Sequence, residues 1–384
     1  MPPDYAGPNW PNDNQEASPG QDSSRGLTLE SSIIPPFGRY RWTNRAERTK
    51  IRDTAVSGRL GLPPRINTLI EYDAGDAQLN ISHVYSGNPV DRGEKERRDD
   101  QWLADKAKDP TSKFLPLRDL NVLVTDGGED GLGWVGAADL ERLGVDASPM
   151  FLGLLDGAAH FVVDISAQEK AVSELSQGNG FRFVDARSVT EILSGPDSGI
   201  VAQARAQINW HNRNGFCSIC GGETFVKRGG QVRRCSKCEV EHYPRTDPVV
   251  ITVVSDGERC LLGQSRRGRL ARTNTYSALA GFVDQGESIE EAVAREVMEE
   301  AGIKVGRVRY HSSQPWPFPS SLMIGCHADA ATTEINFDDD EMNDVRWFTR
   351  EEVVLALAGE SDTLAVPQPI AIAHHLIKAW VNGG

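Results

Sequence analysis

Apolar positions are scattered through the first part of the chain and organised after it. From about Asn67 onward they fall into runs and periods that predict elements. "LNVLVTD" (120–126) and "FLGLLDGAAHFVVDIS" (151–166) are apolar runs of the length of buried strands. "VTEILS" (189–194) and "GIVAQARAQINWHN" (199–212) carry helical spacing, which gives a mixed α/β region ending near Asn209. "PVVITVVSDGERCLLGQSRR" (248–267) reads as strand, Asp-Gly turn, strand. A helix is predicted from Ile289 to Ala301, with Ile289, Val293 and Val297 on its core side. Ser288 with Glu291 forms a capping box at its start, and Gly302 is placed to end it. Residues 1 to about 60 are rich in Pro, Ser, Asn, Gln and Arg and show little periodicity, which predicts a disordered extension. The basic run "GRYRWTNRAERTKIR" within it reads as a solvated charged segment, with an interaction or targeting element as the alternative. The expected division is 1–60 extension, 61–209 α/β domain, 210–244 a small cysteine-bearing module and 245–384 a second α/β domain.

Composition narrows the function classes. The 384 residues are 39% hydrophobic, enough for proper cores. A net charge of −14 makes bulk electrostatic capture of nucleic acid a poor expectation. A phosphorylated ligand would therefore need local arginines and metal ions. No stretch approaches the roughly 18 apolar residues of a membrane helix, so no membrane partner is expected. The opening "MPPDYAGPNWPNDNQ" has neither the basic nor the apolar region of a secretory signal. An intracellular, reducing setting is expected, in which the six cysteines serve as metal ligands or buried thiols.

Four of them have metal spacing. Cys217 and Cys220 form one C-x-x-C, Cys235 and Cys238 another, with fourteen residues between the pairs. Two such knuckles complete a tetrahedron of thiolates around Zn²⁺. Four protein ligands leave no open position for water, so this zinc is expected to hold structure. A ribbon that binds nucleic acid is the alternative, weakened by its few aromatics and the acidic chain. Cys260 and Cys326 lie in apolar runs and read as inert buried thiols.

The candidate chemistry sits on the predicted helix. Glu296, Glu299 and Glu300 are related by i, i+3 and i+4, which brings their side chains within about 5–6 Å of one another. Like charges so close destabilise a bare helix, and hard divalent cations with oxygen ligands explain them. Arg295 can orient a carboxylate, with Glu287 as the expected partner. Cations held there would keep positions open for water and substrate phosphates and lower the pKa of a bound water, and a carboxylate would take its proton. Glu300 is the first choice for that base and Glu299 the second. Arg266, Arg267, Arg269 and Arg272, in "RRGRLAR", read as a solvated loop or as phosphate contacts.

The segment "GFVDQGESIEEAVAREVMEEAGI" (281–303) resembles the Nudix box, G-x5-E-x7-R-E-U-x-E-E-x-G-U, at every defined position. "SQPWPFPSSLM" (313–323), "WHNRNGFCSICG" and "HYPRTDPVVI" are similar to the signature and zinc ribbon of the NADH diphosphatase subfamily. The resemblance implies an α/β/α Nudix sandwich, preceded by a four-cysteine zinc ribbon and a degenerate Nudix-like domain. It implies a homodimer that hydrolyses NADH, NAD⁺ or related dinucleotides, and in some members the NAD cap of RNA. It implies Mg²⁺ or Mn²⁺ on Glu296, Glu299 and Glu300, with Glu341 as the downstream metal carboxylate. Asp338 to Asp340 are adjacent alternatives to Glu341. It implies that Tyr243 and Phe282 stack on the nucleotide and that Gln314 and Trp316 lie near the bound dinucleotide.

Two other classes stand beside this one. A non-catalytic nucleotide sensor would usually have lost one of the carboxylates, and none is missing. A nucleic-acid-binding ribbon whose partner domain modifies RNA would show a salt-dependent RNA shift. The chain ends in "WVNGG", which is no peroxisomal tripeptide, so the expected location is cytoplasmic, and a peroxisomal one would need another signal.

Overall fold

The computed structural model describes residues 83–384, apart from 127–130, 177–179, 194, 267–272, 338 and 384. The expected extension with its basic run, the start of order near Asn67, and Arg267, Arg269, Arg272 and Asp338 lie outside the described residues.

The first sheet combines β1 (Lys113–Arg118), β2 (Asn121–Thr125), β3 (Met150–Leu155), β4 (Ala158–Asp164) and β5 (Phe181–Val184) in the order β3-β4-β1-β2-β5. β1 and β4 run parallel and the other pairs antiparallel. Both faces are covered, which is why the strands read as continuous apolar runs. On one face α4 (Gly195–Arg213) sets Ile200, Val201, Ala204 and Ile208 against Leu115, Leu117, Val122 and Val124. On the other, α3 (Glu169–Ser176) sets Ala171 and Leu175 against Phe114, Leu123 and Phe161. The remaining helices of this part are α1 (Asp100–Lys106) and α2 (Ala137–Leu143). The helix expected over "VTEILS" is only a 3-10 turn, Ser188–Glu191. Val189, Thr190 and Ile192 are β-branched, and Pro196 restarts the chain as the first turn of α4, so no full helical turn can build there.

A three-stranded ribbon follows, made of β6 (Thr224–Lys227), β7 (Val232–Cys235) and β8 (Glu241–His242). The last sheet has six strands. β9 (Asp247–Ser255), β10 (Arg259–Ser265), β12 (Val305–Trp316), β13 (Ser321–Ala330) and β14 (Met342–Thr349) take the order β12-β13-β9-β10-β14, and β11 (Leu279–Phe282) pairs with β9. Alternate residues of β9 serve opposite faces. Val250 and Val254 meet Ala292, Val293 and Val297 of α5 (Ile289–Ala301). Ile251 and Val253 meet Ile372, Leu376 and Trp380 of α7 (Ile372–Val381), beside Val353 of α6 (Arg350–Ala358). This is the α/β/α sandwich the sequence predicted.

α5 has the predicted boundaries. The Ser288 hydroxyl accepts from the Glu291 amide, the Glu291 carboxylate accepts from the Ser288 amide, and Gly302 closes the helix at φ 68°. No described helix is long and apolar enough to cross a membrane.

The "SQPWPFPSS" segment is mostly strand. Ser313–Trp316 is the end of β12, Ser321 begins β13, and only 317–320 turn between them. β12 is an edge strand, where the missing N–H of Pro315 costs no interior ladder bond.

Candidate active site and zinc ribbon

α5 lies under β11, and this contact assembles the carboxylates. The Ala280 amide donates to Glu300 Oε2 at 3.2 Å, which ties the helix to the strand. Gly281 lets the strand pass over Glu296: a Cβ at that position would stand 1.9 Å from the Glu296 Cδ. Arg295 binds everything around it. Its Nε and Nη2 donate to the two oxygens of Glu287 at 2.7 and 2.9 Å, the pairing the sequence anticipated. Its Nη1 reaches Glu296 at 2.8 Å and Glu299 at 3.0 Å, and Nη2 also donates to the Phe282 carbonyl at 2.8 Å. One guanidinium thus fixes three carboxylates and the strand end. Its bond to Arg295, with the Asp284 amide, holds the Glu287 carboxyl down at about 2.

The remaining charge is not balanced. Burial, followed by the Glu296 charge and those of Glu341 and Glu299, pushes Glu300 up to about 8. Burial also raises Glu296, against the pull of Arg295. The Glu341 charge acts on both carboxyls, as a smaller cause than burial. The Arg266 amide donates to the Glu341 carbonyl at 2.9 Å, and the Arg266 side chain donates to the Asp339 carbonyl. Arg266 therefore braces this segment. Acceptor-only oxygens crowded until one carboxyl resists ionisation are a donor set suited to hard divalent cations. Glu300 also lines a cavity of about 310 Å³ with Ser265, Ser277 and Ala280.

The aromatic candidates divide. Phe282 and Tyr243 are 58% and 60% exposed, free to stack on a ligand. Trp316 is half-buried and meets Tyr85 and Phe318 edge-to-face, at 6.0 and 5.3 Å between ring centroids. Gln314, expected near the bound dinucleotide, has its amide taken up inside the protein. It is fully buried, its Nε2 donates to the Val84 and Ile370 carbonyls at 3.1 and 2.8 Å, and its Oε1 accepts from the Ile372 amide at 2.8 Å. No hydrogen-bonding capacity faces outward.

Two further residues matter here, the second of them missed in the sequence. Phe318 plugs into the first sandwich, packed on its core and covered by the guanidinium groups of Arg187 and Arg205 at 3.7 and 4.5 Å from the ring centroid. The second is His242, whose Nε2 lies 3.2 Å from Cys217 Sγ. It follows the second knuckle closely, and that proximity was the available signal.

In the ribbon the sulfurs of Cys217, Cys220, Cys235 and Cys238 all lie within 4.8 Å of one another. Cys217 to Cys238 is 3.6 Å and Cys220 to Cys235 is 3.4 Å. A Zn–S bond of about 2.3 Å in a tetrahedron places sulfurs about 3.8 Å apart, so the quartet fits zinc. Although burial opposes it, the backbone amides at Ile219 and Cys220 and the His242 ring bring Cys217 down to about 6, toward the thiolate that metal binding requires. Cys260 and Cys326 are buried, and burial pushes their thiols up to about 12 and about 11.

Comparison with known proteins covers the described chain in three segments. Residues 111–210 match the NADH pyrophosphatase-like rudimentary NUDIX domain, 212–243 the NADH pyrophosphatase zinc ribbon domain and 244–367 the NUDIX domain. The NAD-capped RNA hydrolase NUDT12 of Homo sapiens is 37% identical over 342 residues, covering 78% of this chain and 73% of that protein. The mitochondrial NAD(P)H pyrophosphatase NUDT13 of Mus musculus is 37% identical, covering 75% of this chain and 89% of that protein. The NAD-capped RNA hydrolase NudC of Mycobacterium bovis is 35% identical, covering 79% of this chain and 96% of that protein.

Proposed function

Because the chain belongs to the Nudix hydrolases, in the NADH pyrophosphatase branch that carries a zinc ribbon, we propose that it cleaves the diphosphate of NADH. NAD⁺ and related dinucleotides would be cut in the same way, and water and NADH would give reduced nicotinamide mononucleotide and AMP. The observation that supports this reading best is the set of Glu296, Glu299 and Glu300 on α5, with Glu300 tied to β11 by the Ala280 amide and Glu296 and Glu299 held by the one Arg295 guanidinium.

These three glutamates, with Glu341, would hold Mg²⁺ or Mn²⁺. Bound there, the cations would screen the phosphates and lower the pKa of a water. The protein's own part is positioning and proton transfer. Arg295 keeps the Glu287, Glu296 and Glu299 carboxylates aimed without a flexible intermediary. Glu300 is our base and Glu299 the alternative. Glu300 is the more buried of the two, and its bond to the Ala280 amide fixes one oxygen and leaves the other for the water. Phe282 and Tyr243 offer exposed rings to the bases, and Trp316 supplies a third, partly covered surface. Zinc on the four cysteines holds the ribbon and takes no part in the reaction.

Glu300→Gln keeps the shape and removes the charge. It should lower kcat by at least about 10²-fold in a folded protein, and near-normal turnover would remove Glu300 from the mechanism. Product analysis over a panel of dinucleotides in Mg²⁺ and in Mn²⁺ tests the substrate. A panel in which no dinucleotide is cut would refute the reading. NAD-capped RNA belongs in the panel as a second reading, because two of the relatives are named for hydrolysing it.

We further propose a homodimer, for which Phe216 and Ile219, both 69% exposed on the ribbon, are the supporting surface. Light scattering on the purified chain tests it. The domain division 61–209, 210–244 and 245–384 and a cytoplasmic location complete the proposal.

A further inference from the structure

Five of the eight histidines gather where four parts of the chain meet: His83 in the first described turn, His311 on β12, His327 on β13, and His374 and His375 on α7. The His83 and His375 rings meet edge-to-face with 4.7 Å between centroids, His311 and His327 lie 5.3 Å apart, and His374 and His375 lie 5.6 Å apart. The Ser312 hydroxyl joins the groups, at 2.7 Å from His83 Nε2 and 2.7 Å from His311 Nδ1. His311 is the extra residue of a bulge in β12, between the paired Tyr310 and Ser312, and a bulge re-aims a side chain. The proposed diphosphate chemistry uses none of these rings.

The arrangement suits neutral rings. A carbonyl can only accept, so His375 donates through Nε2 to Pro369 at 2.8 Å and His374 through Nδ1 to Pro367 at 2.9 Å. The Ser312 hydroxyl has one proton and donates to only one of its two rings, so the other ring donates to it. His83 is 6% exposed, and its Nδ1 is buried with no hydrogen-bond partner among the described residues. A neutral ring can leave that nitrogen a bare acceptor. A charged ring must bury an N–H there with nothing to accept it. No carboxylate is bonded to His83, His311, His374 or His375 among the described residues. Asp329, two positions along β13 from His327, is held by Arg309, and Lys378 on α7 adds a further positive charge. Burial, then the His375 and His311 charges, holds His83 down at about 4, and burial with the His375 charge lowers His311.

The cluster stands on a junction between the two sandwiches. Tyr85 fixes the turn to the first: its hydroxyl donates to the Ala186 carbonyl and its amide to Ser198 Oγ, both at 2.8 Å. On the other side, His83 meets Ser312, and the Val84 carbonyl accepts from Gln314, which also holds Ile370 and the Ile372 amide. His311 is exposed, so protons reach the cluster there, and the Ser312 hydroxyl leads from it to His83.

We propose that His83, His311 and His375, joined through Ser312, form a pH-sensitive latch that holds the turn at His83 onto β12 and α7 while neutral and releases it when protonated. Protonation sets like charges across 4.7 Å with no counter-ion, and the turn, held on that side by His83 and Val84, is the part that yields. The latch is complete above about 6.5 and weakens as pH falls toward 4. A ring at about 4 when closed and 6.5 when free makes opening about twentyfold easier at pH 5 than at pH 7. The proposal stands apart from the diphosphate reading, because its test uses neither substrate nor divalent cation.

Hydrogen–deuterium exchange of the full chain is followed by mass spectrometry at pH 7 and pH 5, each rate divided by the intrinsic rate at that pH. Peptides over 83–90 and 370–377 should lose at least about tenfold in protection at pH 5 and regain it on return to pH 7. Peptides from β1 and β9 should stay within about threefold. His83→Gln removes the buried proton site and keeps a hydrogen-bonding amide. It should hold protection at pH 5 within about threefold of its pH 7 value, and His375→Gln should fall between it and the unaltered chain. His374→Gln, outside the trio, should open as the unaltered chain does. Equal protection at both pH values in the unaltered chain overturns the latch. So does a loss that spreads equally to β9, which is acid unfolding of the whole, or a loss undiminished in both His83→Gln and His375→Gln. Where His83→Gln is already open at pH 7, the His375→Gln result decides.

Discussion

Gly281→Ala is a single-methyl test of the proposed active site. A Cβ on Gly281 would stand 1.9 Å from the Glu296 Cδ and 2.0 and 2.1 Å from its oxygens. Ordinary contact begins near 3.5 Å, so one side must give by roughly 1.5 Å. The backbone of β11 is held by its ladder to β9, Gly281 opposite Val250, and it will not move. The Glu296 carboxylate is the far end of a flexible side chain, and it will. The methyl should therefore cost function rather than fold. A displacement of about 1 Å in a catalytic group is enough for a loss near 10²-fold, or about 2.7 kcal/mol of transition-state stabilisation. The assay is steady-state kcat/KM on NADH in saturating divalent cation, beside a thermal melt. Gly359→Ala is the control, at the C-cap of α6 with φ 74° and nothing within 4 Å of the new Cβ. That variant should lose about 1 kcal/mol of stability and keep its rate. If Gly281→Ala retains kcat/KM within threefold, either β11 yields or Glu296 is not a ligand, and the reasoning fails.

The other expectations are briefer. Cys235→Ser should release zinc and lower stability without removing the chemistry of the folded fraction, and elemental analysis below about half a zinc per unaltered chain would refute the four-thiolate site. Phe318→Ala should cost about 2–3 kcal/mol, from lost burial and two lost cation–π contacts, whereas Trp316→Ala should fall mainly on kcat/KM for NADH, by about 1–3 kcal/mol; equal losses on NADH and on a small diphosphate, with a lower Tm, would make Trp316 a packing residue. Burial, then the neighbouring His375 and His311, lowers His83 to about 4 from an ordinary 6.5. A histidine with a depressed folded pKa contributes stability that is complete above about 6.5 and is lost as pH falls toward 4. Melting at pH 7 and pH 4.5 should show a shallower pH dependence in His83→Gln than in the unaltered chain, and equal slopes would refute it.

What could be read in advance was local. The capping box of α5, its Gly302 terminus and its apolar stripe lie within fifteen residues of one another, and the helix begins and ends where they place it. The C-x-x-C pairs carry their own geometry, and the sulfurs meet. The Glu287–Arg295 pair spans eight positions and was equally legible. What could not be read depends on partners far along the chain. Gln314 looks like a ligand-binding amide until Val84 and Ile370, 230 and 56 positions away, are known to occupy it. Phe318 looks exposed in a proline-rich turn until Arg187 and Arg205 arrive from the other sandwich. Neither contact leaves a period or a spacing in the sequence. "VTEILS" failed for another reason: six residues cannot distinguish a helix from a single turn when three of them are β-branched.

These long-range contacts give the "SQPWPFPSS" string a physical meaning that a selective loop would not. Gln314 fastens β12 to the segment at Val84 on one side and to the start of α7 on the other. Four residues on, Phe318 enters the first sandwich, and the Pro317 carbonyl accepts from Arg205. The prolines lie between and beside these anchors, at the end of an edge strand and in the turn, where fixed φ costs no interior ladder bond. A flexible connection would let the two anchors move separately; a proline-stiffened one forces them to move together. Among the described residues the first sandwich has no carboxylate cluster of its own in a helix such as α5. Its retention is explained if it holds the hairpin, because without it Phe318 would face water and one of the two Gln314 Nε2 bonds would be lost. Trp316 sits between the anchors, so its position toward any ligand is set by the first sandwich. On this argument the signature and the first sandwich are one device, and selectivity follows from how rigidly they hold Trp316.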